Sequence, residues 1–202
     1  TSRLSSAASD VYKRQGEPVG GRRYRGSGID DPLSEKGWRQ MWQALDPPGD
    51  WDRIVSSPML RCCEFAYALG RRLGLPVELI QDLREVGFGS WEGRSPTEIM
   101  AQNPAEYDDF YLDPVHNRPQ GAEDLQQFGN RVAAVYRQLS SRYPDEHLLV
   151  IAHAGVIRAA LGHVMQTTAA HWYRARVDNA RITRFQHTPR GDLLVFHNAG
   201  LG

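Results

Sequence analysis

Cysteine is scarce in this chain of 202 residues, which carries only the adjacent pair Cys62 and Cys63. Neighbouring residues on a helix point to different sides, so the pair excludes a disulfide scaffold, and a reducing, cytoplasmic compartment is expected. Net charge is missing as well. Lys and Arg number 24, as do Asp and Glu, with no long basic block; neither nucleic acid nor an anionic membrane is expected as a partner. No apolar run approaches the roughly 20 residues that cross a bilayer, and the opening residues lack the apolar core of a secretory signal. Histidine does not occur before His116. What remains suits one domain of ordinary size with a substantial core, and composition leaves its oligomeric state open.

Apolar periodicity alternates between strand and helix along the chain, the pattern of a layered α/β domain. Ser34 stands as an N-cap before a helix running to Leu45, which Asp46-Pro-Pro-Gly49 stops. Residues 51–56 read as a strand and 60–73 as a helix, with Cys62, Ala66, Leu69 and Leu73 on one stripe and Gly74 as its stop. A short strand at 76–80 and two brief helices at 97–102 and 104–111 follow, then an irregular connector over 113–121. The longest helix is expected at 123–143, and a strand at 147–152 feeds a helix at 155–165. Two β-type segments flank the turn Pro189-Arg-Gly-Asp192 and read as a hairpin, so one sheet edge should be antiparallel.

Three places concentrate chemistry. The run Leu148-Leu-Val-Ile-Ala-His153-Ala-Gly155 ends in an imidazole where a helix should begin, beside N-terminal amides that suit an anion. Arg61 follows Ser56-Ser-Pro58 at a second strand-to-helix corner. Glu85 lies in the Gly-rich stretch Leu83-Arg-Glu85-Val-Gly-Phe-Gly-Ser-Trp91-Glu-Gly93, where Glu92 is a rival carboxylate. The other histidines, His116, His147, His163, His171, His187 and His197, lack close ligand spacing, so neither metal nor cofactor is expected.

With Arg25-Gly-Ser27, Asp31-Pro-Leu-Ser34-Glu-Lys-Gly37, Pro119-Gln-Gly121-Ala-Glu123 and Val177-Asp-Asn179, these segments resemble, in order, the histidine phosphatase superfamily, the phosphoglycerate mutase-like enzymes. The short length and Trp172-Tyr-Arg-Ala-Arg-Val177 are most similar to α-ribazole phosphatases. The resemblance implies a three-layer α/β/α sandwich whose mostly parallel sheet has an antiparallel edge. It implies hydrolysis of a small phosphate ester through a phosphohistidine, with Arg14, Arg61 and His153 around the phosphoryl oxygens. Glu85 would protonate the leaving alkoxide and then accept a proton from water, and Asn179 would contact the substrate. The substrate so implied is α-ribazole 5'-phosphate, in cobalamin assembly. Phe88, Trp91, Tyr107, Phe110, Tyr111, Trp172 and Tyr173 offer rings on which it would stack, although each ring has packing as its rival role.

The family's Arg-His-Gly motif is broken here, for the chain reads Arg14-Gln15-Gly16. An amide nitrogen delocalised into its carbonyl has no lone pair to attack phosphorus, so Gln15, at the nucleophile's position, carries no phosphoryl group. Residues 1–15 also lack the near-continuous apolar run that a strand inside a sheet requires. They are expected to be a non-native segment replacing the first strand, with 16–202 the histidine phosphatase domain and the chain inactive as written. A natural, inactive phosphate-binding relative is the alternative, and a mutase-type phosphotransferase a further one. Polar residues lodged in the first-strand groove should leave it poorly satisfied and the domain weakened.

Overall fold

The computed structural model describes residues 8–46 and 48–200. Their strands β1 (Ser9–Arg14), β2 (Arg53–Ser56), β3 (Val77–Leu79), β4 (Leu148–Ala152), β5 (Ile182–Gln186) and β6 (Leu193–Ala199) form one sheet in the order β3-β2-β4-β1-β5-β6. The four strands from β3 to β1 run parallel, and β5 and β6 pair antiparallel at one edge. The helices are α1 (Glu35–Gln43), α2 (Leu60–Leu73), α3 (Pro96–Gln102), α4 (Pro104–Leu112), α5 (Leu125–Arg142) and α6 (Ala154–Val164).

Two separate cores explain the three layers. β4 is apolar at every position and wholly buried, as a strand covered on both faces must be. Successive side chains point to opposite faces: Leu148, Val150 and Ala152 join the core of α5 and α6, whereas Leu149 and Ile151 join that of Met41, Phe65 and Leu69 from α1 and α2. The helix ends follow local chemistry. The Ser34 hydroxyl accepts from the Gly37 N–H at 3.0 Å to start α1, Asp124 does the same for α5 from Gln127 at 2.8 Å, and Gly74 closes α2 at φ 69°.

β1 lies between β4 and β5, the most enclosed place in the sheet, although its sequence is Ser-Asp-Val-Tyr-Lys-Arg. Main-chain pairing on both sides holds it there, and Tyr12 packs against Tyr136 and Phe185 with ring centroids 6.1 and 5.4 Å away. Its polar groups fit less well. Ser9, Asp10 and Lys13 are buried, the Tyr12 hydroxyl has no hydrogen-bond partner, and Asp10 Oδ2 meets the His187 ring at 3.2 Å as an ion pair. Residues 1–7 of the expected non-native segment 1–15 lie outside the described residues. Beyond β1, the chain turns tightly at Gly16, where a Cβ would stand 2.3 Å from the Gly37 carbonyl oxygen. That contact presses the loop after β1 against the first turn of α1.

Candidate active site

β1, β2 and β4 all end at the same rim of the sheet, and each feeds a candidate residue to it. Arg14 is the last residue of β1 and Gln15 the next; Arg61 lies in the first turn of α2, after β2; His153 follows β4 as the N-cap of α6. Ligands of open parallel sheets bind at such carboxyl ends. A cavity of about 830 Å³ opens there, lined by Arg14, Gln15, Arg61, Glu85 and Asn179 among others. Five of the six residues expected from the sequence thus converge on one space.

The sixth, His153, does not line it. Its ring is fully buried, with Nε2 2.8 Å from the Ser57 hydroxyl and the Cys62 sulfur 3.7 Å away. Burial, reinforced by the Arg61 and Arg14 guanidiniums, holds its pKa well below that of an ordinary histidine, so the ring is neutral. To meet a phosphoryl oxygen it must exchange the Ser57 bond. Its neighbours Ala154 and Gly155 do line the cavity.

The arginines are partly committed. Arg61 is almost wholly buried and donates to the Ile29 and Gly26 carbonyls, each at 2.9 Å. Arg14 donates to the Val177 carbonyl, while its Nε is buried without a partner. Burial, then the nearby Arg158, lowers the Arg14 pKa to about 10, which leaves it charged at neutral pH. Gln15 is held by its backbone, donating to Ala152 and accepting from Ala180, but its Oε1 is orphaned, as is Asn179 Oδ1. Unpaired polar atoms beside a basic cavity mark where a ligand's groups would complete the bonding.

Glu85 and Glu92 separate clearly. Glu92 spends its two oxygens on the Phe88 and Gly28 amides, at 3.0 and 3.1 Å, and lies outside the cavity lining. Glu85 faces the cavity, with Oε1 accepting from Val86 at 3.0 Å and from Gly155, the second residue of α6, at 3.1 Å. The helix N-terminus that the sequence offered to an anion is therefore met by this carboxylate. A Cβ on residue 155 would stand 2.3 Å from Glu85 Oε1, so glycine is what lets it approach.

Sequence reading missed the extent of the positive charge. Arg22, Arg23, Arg25, Arg158, Arg176 and Arg181 also line the cavity, bringing its arginines to eight against three carboxylates, Glu17, Glu85 and Asp178. These arginines are scattered through loops and one helix, and no spacing marks them. Of the seven aromatic residues expected near the site, Phe88, Tyr111 and Tyr173 line it, joined by Tyr24. Trp91 and Phe110 instead pack with Phe88 in the core, which is the competing role foreseen for them. Among the described residues no His, Cys, Asp and Glu cluster is arranged to hold a metal ion, and no helix is long and apolar enough to cross a membrane.

A bifunctional protein of Mycobacterium tuberculosis is 31% identical over 165 residues, covering 80% of this chain and 45% of that protein. The chain thus spans less than half the length of that relative. The adenosylcobalamin/alpha-ribazole phosphatase of Escherichia coli is 28% identical over 128 residues, 63% of each chain. A mycobacterial glucosyl-3-phosphoglycerate phosphatase superposes with a TM-score of 0.85 at 26% identity, covering 96% of this chain and 100% of that one. The sequence profile of the histidine phosphatase superfamily, branch 1, matches residues 14–200. The chain, with its rim of arginines, its cavity-facing carboxylate and its buried histidine after β4, therefore belongs to the histidine phosphatase superfamily.

Proposed function

We propose that this domain is built to hydrolyse a phosphomonoester through a phosphohistidine, and that Gln15 has replaced the nucleophile. The observation that carries the reading is the meeting of Arg14, Gln15, Arg61 and Glu85 on one arginine-rich cavity at the carboxyl ends of the parallel strands. With histidine at 15, its ring nitrogen attacks phosphorus, the ester P–O bond breaks, and Glu85 gives its proton to the leaving alkoxide. Water then attacks the phosphohistidine, Glu85 takes the proton, and phosphate leaves. Arg14 and Arg61 neutralise the equatorial oxygens, His153 joins them once released from Ser57, and Asn179 contacts the substrate. In this reading residues 1–15 are a non-native segment standing in for the first strand of a domain that spans 16–202.

The substrate proposed is α-ribazole 5'-phosphate, for a cytoplasmic enzyme of cobalamin biosynthesis. Support comes from the similarity to α-ribazole phosphatases and from the Tyr24, Phe88, Tyr111 and Tyr173 rings, which suit a nucleoside-like group. Gln15→His is the test. The variant should hydrolyse the ribazole ester and accumulate an acid-labile phosphoenzyme, while the unaltered chain does neither. Equal rates on many small esters would remove the ribazole assignment alone. A folded variant with no turnover would favour a phosphate-binding pseudoenzyme, a reading that the intact arginines around the cavity also support.

A further inference from the structure

Glu85 must aim a carboxyl group at one leaving oxygen, and its aim is set by a residue that touches neither substrate nor cavity. Arg131, on α5, uses all five of its guanidinium N–H groups. Nε and Nη2 donate to the two carboxylate oxygens of Glu123, at 2.8 and 3.0 Å. Nη1 donates to the Asp82 and Arg84 carbonyls, at 2.5 and 2.9 Å, and Nη2 donates again to the Glu85 carbonyl at 3.3 Å. Glu123 extends the clasp by accepting the Gly87 N–H at 3.1 Å, while its own N–H donates to the Gly87 carbonyl at 3.1 Å. The segment 82–87 is thus gripped on both sides of Glu85, and the carboxylate meets the Gly155 N–H on its far side.

We propose that Arg131, clasped by Glu123, is the positioning residue for the proton-transfer carboxylate, fixing segment 82–87 through three carbonyls so that Glu85 points into the cavity. The role given to Glu85 rests on the phosphatase reading; the clasp itself does not. Only arginine suits this place, because a planar fork with five fixed donors spans a carboxylate and three carbonyls together, whereas lysine has three donors on one nitrogen. Neither Arg131 nor Glu123 lines the cavity.

The experiment compares Arg131→Lys with its parent, both carrying Gln15→His, on an aryl phosphate whose phenolate leaves without help and an alkyl phosphate whose alkoxide needs a proton. Loss of aim should lower the single-turnover rate of alcohol release from the alkyl ester by about tenfold or more and leave phenolate release from the aryl ester within about twofold, because release in the first turnover precedes the phosphoenzyme hydrolysis that both esters share. Equal losses on both esters would overturn the proposal, since a merely destabilised protein loses both alike. In the unaltered chain, the Gly155 amide donates to Glu85 and should exchange slowly with solvent. Arg131→Lys and Glu123→Gln should each shift its resonance and speed its exchange. A folded variant with an unmoved Gly155 amide overturns the clasp. If Gln15→His cleaves neither ester the phosphatase reading fails, and the Gly155 amide alone decides the clasp. Should Arg131→Lys not fold, Glu123→Gln carries the same comparison of esters.

Discussion

Lys13 is wholly buried in β1, and its ammonium donates to the Ala180 carbonyl at 2.7 Å. Burial, with Arg181 nearby, lowers its pKa from 10.5 to about 7. A base whose folded pKa is depressed costs stability wherever the unfolded chain would hold the proton and the folded one holds it only reluctantly. That cost is complete below about pH 7 and fades as pH rises toward 10.5. Lys13→Met should therefore stabilise the domain, by on the order of 2 kcal/mol near neutral pH, with the gain shrinking in alkaline buffer. Chemical denaturation of both proteins across that range checks it, and a gain that grows with pH would contradict the burial argument. Gln15 differs in kind. Its backbone bonds fit the corner after β1, and it is the side chain alone that the proposed phosphatase chemistry would need changed.

Strands and helices carry their own consequences. At the far end of β1 from the cavity, Asp10 is buried with Oδ2 3.2 Å from Nε2 of His187, the residue after β5, and the other nitrogen of that ring lies 2.8 Å from Asp192. Burial opposes a charged imidazole there, but Asp10 and Asp192 outweigh it and raise the His187 pKa from 6.5 to about 9. The Tyr136 ring, 5.5 Å away, completes the surroundings. A raised histidine contributes stability that is complete below about pH 6.5 and is lost as pH climbs through about 9. His187→Gln should thus cost roughly 2 kcal/mol in mild acid and little above pH 9, read from denaturant midpoints. An equal penalty at both ends would show that the β1–β5 contact is packing alone. Helix positions were legible without coordinates, because Ser34, Gly74 and the stripe from Cys62 to Leu73 act through neighbours a few residues away. β1 was not legible. Its place depends on main-chain bonds to β4 and β5, and its side chains argue against burial.

For the whole molecule, formal neutrality conceals a separation of charge. The 24 basic and 24 acidic residues balance, yet eight arginines face three carboxylates in the cavity. Inorganic phosphate should bind there even without a nucleophile and raise the melting temperature, by an amount equivalent to about 2.7 kcal/mol at a hundredfold excess over Kd. Chloride at matched ionic strength should not, added salt should weaken the effect, and Arg61→Ala should abolish it. No difference between phosphate and chloride would leave the cavity without its anion. The sequence by itself determined the alternation of strands and helices and the antiparallel hairpin, and singled out Arg61 and Glu85, which line one cavity. Those readings rest on short-range periodicity, on helix-end chemistry and on motifs contiguous in the chain. The tertiary structure alone decided that Glu85 rather than Glu92 faces the cavity, that His153 lies buried against Ser57, and that Arg22, Arg158, Arg176 and Arg181 join the site. Each depends on the distance between segments far apart in sequence, which packing around the sheet sets and no local pattern encodes.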